Sequence, residues 1–163
     1  MEPFSREARA SIVCAREEAK ALGSNSIGAE HLLMGLAALR GSQVSELLEK
    51  SGVSLEAMRT IVEELTPHST YERQGMIFTK SAKRIIQEAF KISRRYQQNT
   101  VGCEALLLAL LEENDRPSEP HSVLNRLLED WGPEIIAQLK SQVTTLMDKQ
   151  SQSAAVEGKE PVG

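Results

Sequence analysis

Two stretches of this chain repeat each other at a constant offset of 74 residues, and that duplication limits the fold more than any other feature. Ser26-Ile-Gly-Ala-Glu-His-Leu-Leu-Met-Gly-Leu36 returns as Thr100-Val-Gly-Cys-Glu-Ala-Leu-Leu-Leu-Ala-Leu110. Each copy reads as a turn that becomes a helix. Ser26 or Thr100 supplies a capping hydroxyl. Gly28 or Gly102 permits unusual backbone angles before the helix. Glu30 or Glu104 then falls in the first turn, where the helix dipole favours a carboxylate. Leu32, Leu33 and Leu36, with Leu106, Leu107 and Leu110, form apolar stripes at helical spacing. At the same offset Ala8, Ile12 and Ala15 fall on Ala82, Ile86 and Ala89. The agreement marks an internal duplication.

Periodicity predicts four helices per repeat. In the first, Ser5 caps a helix to about Leu22, and Gly23 ends it. A second runs from near Gly28 to Arg40-Gly41, a third over 44–50, and a fourth opens at Ser54 and stops at Pro67. Residues 67–77 are polar and aperiodic and read as a linker. Phe78-Thr79 restarts the pattern of Phe4-Ser5. The second repeat gains a polar loop over 112–120, then a helix over about 121–130. Pro133 suits the first turn of an eighth helix. No stretch alternates with period two. The expected architecture is all-α, with eight helices as two pseudo-two-fold-related units: repeat one over 4–66, repeat two over 78–150, and a disordered tail over 151–163.

Composition narrows the function. At 163 residues the chain can bury a core without metal or disulfide. The net charge of −4 gives no reason to expect nucleic acid. Cys14 and Cys103 lack ligand or disulfide spacing, which fits a reducing cytosol. No secretory signal and no membrane-length apolar run is visible. The expected location is therefore cytoplasmic. No Gly-x-x-x-x-Gly-Lys-Ser/Thr loop is present for nucleotide phosphates.

The pairing of Phe-Ser/Thr with Ile/Val-Gly-x-Glu-His-Leu-Leu-x-Gly-Leu and Ser51-Gly-Val-Ser54 closely resembles the N-terminal domain of Clp unfoldases, nearest to the ClpC type with its doubled Clp-N repeat. The likeness covers about residues 3–147 and is closer in repeat one. Repeat two keeps Phe78-Thr79, Val101-Gly102 and Glu104. Cys103 and Ala29 stand where the family usually has Thr, and Ala105 where it usually has His. The resemblance implies a monomeric, non-catalytic binding module with no cofactor and no metal. Its implied partners are adaptor proteins, protein substrates or a Clp ATPase and protease, and not nucleic acid or membrane. It also implies either a stand-alone Clp-N protein, which could act as a decoy for the ATPase's own N-domain, or an excised N-domain. The start at Met1 favours the former.

In ClpC-type domains the glutamates matching Glu30 and Glu104 bind the guanidinium of phosphorylated arginine. The Ser or Thr that starts each repeat helps hold its phosphate. Carried over by motif, Glu30 goes with Ser5 and Glu104 with Thr79, and repeat one is expected to bind better. The chemistry is sound, since a carboxylate takes a guanidinium edge in two charged hydrogen bonds and a helix N-terminus receives phosphate. The alternative is that the glutamates only satisfy helix dipoles and the hydroxyls only cap. Phe4 and Phe78 precede caps and suit hydrophobic staples. In related domains the region around the second Phe receives peptide-like ligands, which adds Phe78 and Lys83 as candidates. Arg6, Arg9, Lys80, Lys83, Lys91, Arg94 and Arg95 form either solvated faces or a docking surface for an acidic adaptor or the ATPase body. Cys103 with His31 is a hydrolase pair only on paper, for no third group orients them. His68 and His121 pair with nothing obvious.

Overall fold

The structure, a computed structural model, describes residues 4–65, 77–113 and 122–159, with side chains as far as Ser151. Those residues form eight helices and one two-stranded sheet. Repeat one holds α1 (Arg6–Ala21), β1 (Ser26–Ile27), α2 (Ala29–Ala38), α3 (Gln43–Lys50) and α4 (Leu55–Leu65). Repeat two holds β2 (Ile77–Phe78), α5 (Lys80–Arg95), α6 (Cys103–Glu112), α7 (Val123–Trp131) and α8 (Pro133–Lys159). His68 and His121, and all but the last residue of the expected linker, lie outside the described residues.

Helix starts follow the hydroxyls. Ser5, Ser42, Thr79 and Ser122 each accept a hydrogen bond from the backbone N–H three residues on, at 3.1 Å. Ser122 therefore sets the start of α7 at Val123, just inside the expected boundary. Gly52 and Gly132 both have φ in the left-handed region, 84° and 90°, at the turns into α4 and α8. That turn needs a residue without a Cβ penalty, and its recurrence confirms the six-residue shift between the repeats. After α1, Gly23 sits at φ 76°; its equivalent after α5 is Gln97 at φ 57°. Helix α8 continues to Lys159, past Gln150, where the change in composition predicts a tail. Ser, Ala, Val and Glu contain no breaker before Gly158, so nothing local stops the helix there.

The core runs through both repeats. In α2, eight of ten residues are buried, and in α6 nine of ten. A helix apolar on all sides belongs in an interior, and α2 and α6 pack on each other as well as on their own repeats. One hydrophobic cluster joins Leu33, Leu36 and Val62 of repeat one to Leu107, Leu127 and Val143 of repeat two. Repeat one adds a bidentate ion pair between α1 and α4. Arg59 Nε and Nη2 donate to the two Glu18 carboxylate oxygens, both at 2.8 Å.

Two parallel backbone pairings fasten the repeats together. Phe4 pairs with Val101, and Ile27 with Phe78. At the 74-residue offset each pairing is the image of the other. The Ser5 N–H donates to the Val101 carbonyl at 2.9 Å, and the Thr79 N–H to the Ile27 carbonyl at 3.0 Å. The Phe4 ring packs across the repeats, 5.6 Å from that of Phe90 on α5.

The repeats differ in how closely their first two helices approach. A Cβ on Gly35 would collide with the Ser11 carbonyl oxygen and lie 2.7 Å from the Ala15 nitrogen. The equivalent residue in α6 is Ala109. Backbone atoms cannot step aside as a flexible side chain can. Gly35→Ala should therefore lower unfolding stability by about 1–3 kcal/mol, the range for core overpacking. Urea denaturation checks this, and an unchanged midpoint would contradict the close α1–α2 approach.

Candidate functional site

The two candidate carboxylates arise the same way. Gly28 and Gly102 are the N-caps of α2 and α6, with φ −95° and −97° and ψ near 180°. That is ordinary extended backbone, so these glycines are not there for unusual angles. What a Cβ would meet at either place is the glutamate side chain two residues on. A Cβ on Gly102 would lie 2.9 Å from Glu104 Oε1, and one on Gly28 would overlap the Glu30 carboxylate, with Cδ at 2.8 Å. Each glutamate folds back over its own helix start, where the amide dipoles point. In both repeats the carboxylate thus lies over the glycine that precedes it by two residues. Ser26 and Thr100 are not the caps; Ser26 belongs to β1.

The hydroxyl partners are exchanged between repeats. The backbone pairings bring Ser5 to Gly102 and Glu104, and Thr79 to Ile27 and the start of α2. Ser5, Arg6 and Glu7 line one groove with Glu104. Glu30 lines a cleft with Ser81 and Arg84 of α5, and the Thr79 hydroxyl lies 3.0 Å from that of Ser81. The structure sets Ser5 beside Glu104, and Ser81, next to Thr79, beside Glu30, where the motif pairs Glu30 with Ser5 and Glu104 with Thr79. Offset alone cannot tell whether matched elements meet within a repeat or across the pseudo-two-fold axis, and here they meet across it.

The two sites differ in size and in burial. The Glu104 groove is open to solvent, with a volume of about 830 Å³. Amide side chains of Gln43, Gln97, Gln98, Asn99 and Gln150 form its rim, and Gln98 Nε2 donates to Gln150 Oε1 at 3.1 Å. Sequence reasoning missed that rim, which gathers residues from α3, the loop after α5, and α8; no local motif signals it. The Glu30 cleft holds about 20 Å³, room for little more than a water. Glu104 is 8% exposed, and among the described residues no hydrogen bond or ion pair reaches its carboxylate.

His31 and Cys103 have separate structural roles. The Gly28 N–H donates to His31 Nδ1 at 2.9 Å, closing a capping box that Ala105 cannot form in repeat two. This bond puts the neutral ring's proton on Nε2, which is buried without a partner among the described residues. Burial pulls the His31 pKa below its ordinary value, while Glu30 and Glu18 oppose the shift. Cys103 sits beside Ser11; burial, then the Glu104 carboxylate, push its thiol up to about 12. Such a thiol is inert at neutral pH, and His31 Nδ1 is already committed to a backbone N–H. They are not a nucleophile and its base.

Residues 3–120 match the family described as the Clp repeat (R) N-terminal domain. The chain belongs to this family. It is 30% identical over 158 residues to an ATP-dependent Clp protease ATP-binding subunit ClpA homolog of Guillardia theta, covering 96% of this chain and 18% of that protein. It is 30% identical over 155 residues to the chloroplastic chaperone protein ClpC1 of Arabidopsis thaliana, covering 94% of this chain and 16% of that protein. The chain thus spans less than a fifth of the length of these relatives. In fold it is similar to the N-terminal domain of ClpD from Arabidopsis thaliana, with TM-score 0.70 at 23% identity over 89% of this chain and 97% of that one. The Hsp104 N-terminal domain from Candida albicans gives TM-score 0.69 at 20% identity, covering 89% and 91%. Clp-N domains are non-catalytic modules that bind partner proteins. No helix among the described residues is long and apolar enough to cross a membrane.

The buried imidazole has a consequence for pH. A histidine whose pKa is lower in the folded chain than its unfolded value near 6.5 takes up more protons when unfolded. Its neutral form supports the fold fully above that value, and the support declines as pH falls through and below it. Stability measured in urea should therefore drop between pH 7.5 and 5.5. His31→Gln, which keeps a capping-box acceptor but cannot titrate, should show a smaller drop. Equal drops in both proteins would mean that His31 is not the group responsible.

Proposed function

We propose that this Clp-N domain receives protein substrates or adaptors for a Clp ATPase, and that the Glu104 groove holds an arginine side chain phosphorylated on its guanidinium. The observation that carries this reading is Glu104, a largely buried residue whose carboxylate has no partner among the described residues and lines an open polar groove shared with the start of α1. A guanidinium edge would satisfy both its oxygens in charged hydrogen bonds. The phosphate would then meet the N-terminus of α1. There the Ser5 hydroxyl, whose oxygen already accepts from Ala8 N–H, still has its own proton to donate. The first-turn amides of Arg6 and Glu7 and the Arg6 guanidinium complete the cradle. The Glu7 carboxylate on the same wall opposes a phosphate, which limits how deeply that group can sit.

Glu30 with Thr79 is the second site of this reading, and its cleft must widen to admit a side chain. The volumes thus favour Glu104, although repeat one keeps the family motif more fully. Phe4, Phe78 and Lys83 belong to the surface that a bound polypeptide would cross. Phe4 and Phe78 are half-buried at the two inter-repeat pairings, and Lys83 is exposed on the first turn of α5.

Titration calorimetry with phosphoarginine tests the proposal. Glu104→Ala should weaken binding by about 1.5–3 kcal/mol, the worth of a charged hydrogen bond, or roughly tenfold or more. Glu30→Ala should leave the stronger site in place. Failure of the wild-type chain to bind at millimolar ligand, or loss of the stronger site in Glu30→Ala alone, would refute it.

A further inference from the structure

Helix α5 concentrates positive charge in an otherwise acidic chain. It carries Lys80, Lys83, Arg84, Lys91, Arg94 and Arg95 against one carboxylate, Glu88, while the whole chain has a net charge of −4. Lys80, Lys83, Lys91 and Arg94 are exposed, with exposed Gln87 between them. Their spacing puts them on one face, in a stripe about 21 Å long. Among the described residues no carboxylate pairs with Lys80, Lys83 or Arg94. Lys91 meets only Glu88 of its own helix, at 3.3 Å. The equivalent stripe on α1 reads Arg6, Arg9, Val13, Glu17 and Lys20, broken by an acid and by an apolar residue that is 57% exposed. The feature belongs to repeat two alone.

We propose that the basic stripe of α5, none of whose four cations lines the Glu104 groove, docks an acidic segment of a partner polypeptide. Complementary charge supports this occupant: four cations in a line match one face of an acidic helix. Other polyanions fit less well. The apolar face of α5 is spent on the core, where Ala82, Ile85, Ala89 and Ile92 are at most 1% exposed, so no apolar face is left to enter a lipid surface. The helix aromatics are not available for base stacking either. Phe90 is half-buried against Phe4, and Tyr96 packs on the core. The acidic remainder of the chain repels any extended polyanion that overhangs the stripe.

The test uses an Ala-rich helical peptide of about 15 residues with Glu at i, i+4 spacing, titrated at about 0.15 M salt to suppress diffuse attraction. Two triple variants change the net charge equally. One reverses the stripe (Lys80→Glu, Lys83→Glu, Arg94→Glu); the other reverses exposed cations elsewhere (Arg16→Glu, Lys20→Glu, Lys50→Glu). All six positions are exposed, and circular dichroism confirms that both variants fold. The proposal expects the stripe variant to lose roughly tenfold or more in peptide affinity and the control variant to stay within about twofold of wild type. Equal losses in the two variants, or no wild-type binding, would overturn it. So would tighter binding to a DNA duplex of similar length or to phosphatidylserine vesicles. Self-association that the stripe variant abolishes would replace the partner by a second copy and overturn it as well.

Discussion

Two backbone hydrogen bonds, Ser5 N–H to the Val101 carbonyl and Thr79 N–H to the Ile27 carbonyl, organise everything that this chain could do with a ligand. Each runs from the entry of one repeat to the segment before the buried helix of the other. Together they make the duplication a single body rather than two beads on a string. They leave α2 and α6 side by side in the interior, with both helix starts near the rim. Because backbone groups in a packed interface must be paired, these bonds set the register of the repeats. That register decides which hydroxyl faces which glutamate. Neither candidate groove lies within one repeat: Glu104 shares its groove with α1, and Glu30 its cleft with α5.

Duplication supplies symmetry, and side chains then break it. His31 closes a cap over Gly28, where Ala105 leaves the equivalent position without one. Gly35 lets α1 lie against α2, while Ala109 occupies the matching place in α6. After α5, Gln97 stands in the left-handed position that Gly23 fills after α1, a conformation that costs a residue with a Cβ about 1–2 kcal/mol. Gln97 also lines the Glu104 groove. The strain, the uncapped helix and the large groove all fall at the same site. Repeat one, by contrast, has the closer helix approach, the capping box and the Glu18–Arg59 ion pair. The Glu104 groove draws on repeat one's α1 for a wall.

Much of this was legible in the residues. Ser5 and Thr79 as caps, the apolar stripes of α2 and α6, Pro133 at a helix start and the shifted Gly52 and Gly132 turns all follow from local chemistry, which acts over one turn of chain. The candidate residues were legible singly, but not which of them the fold sets face to face. Repeat spacing fixes equivalence, and equivalence is silent about contact across a symmetry axis. Gly28 and Gly102 were misread for a similar reason: a glycine before a helix can serve backbone angle or side-chain space, and only coordinates separate the two. The amide rim was invisible, because Gln43, Gln98 and Gln150 are ordinary polar residues until the fold gathers them.

The central claim is that the Glu104 site is built from both repeats, with Ser5 as its hydroxyl. A double-mutant cycle on phosphoarginine affinity tests this most directly, with Ser5→Ala and Thr79→Ala each combined with a partial loss at Glu104, Glu104→Gln. Coupling of about 0.5–3 kcal/mol between Ser5 and Glu104, with Thr79 and Glu104 additive to within about 0.5 kcal/mol, is the predicted result. Coupling of Glu104 to Thr79 instead, with Ser5 additive, would show that each repeat builds its own site and would contradict the account.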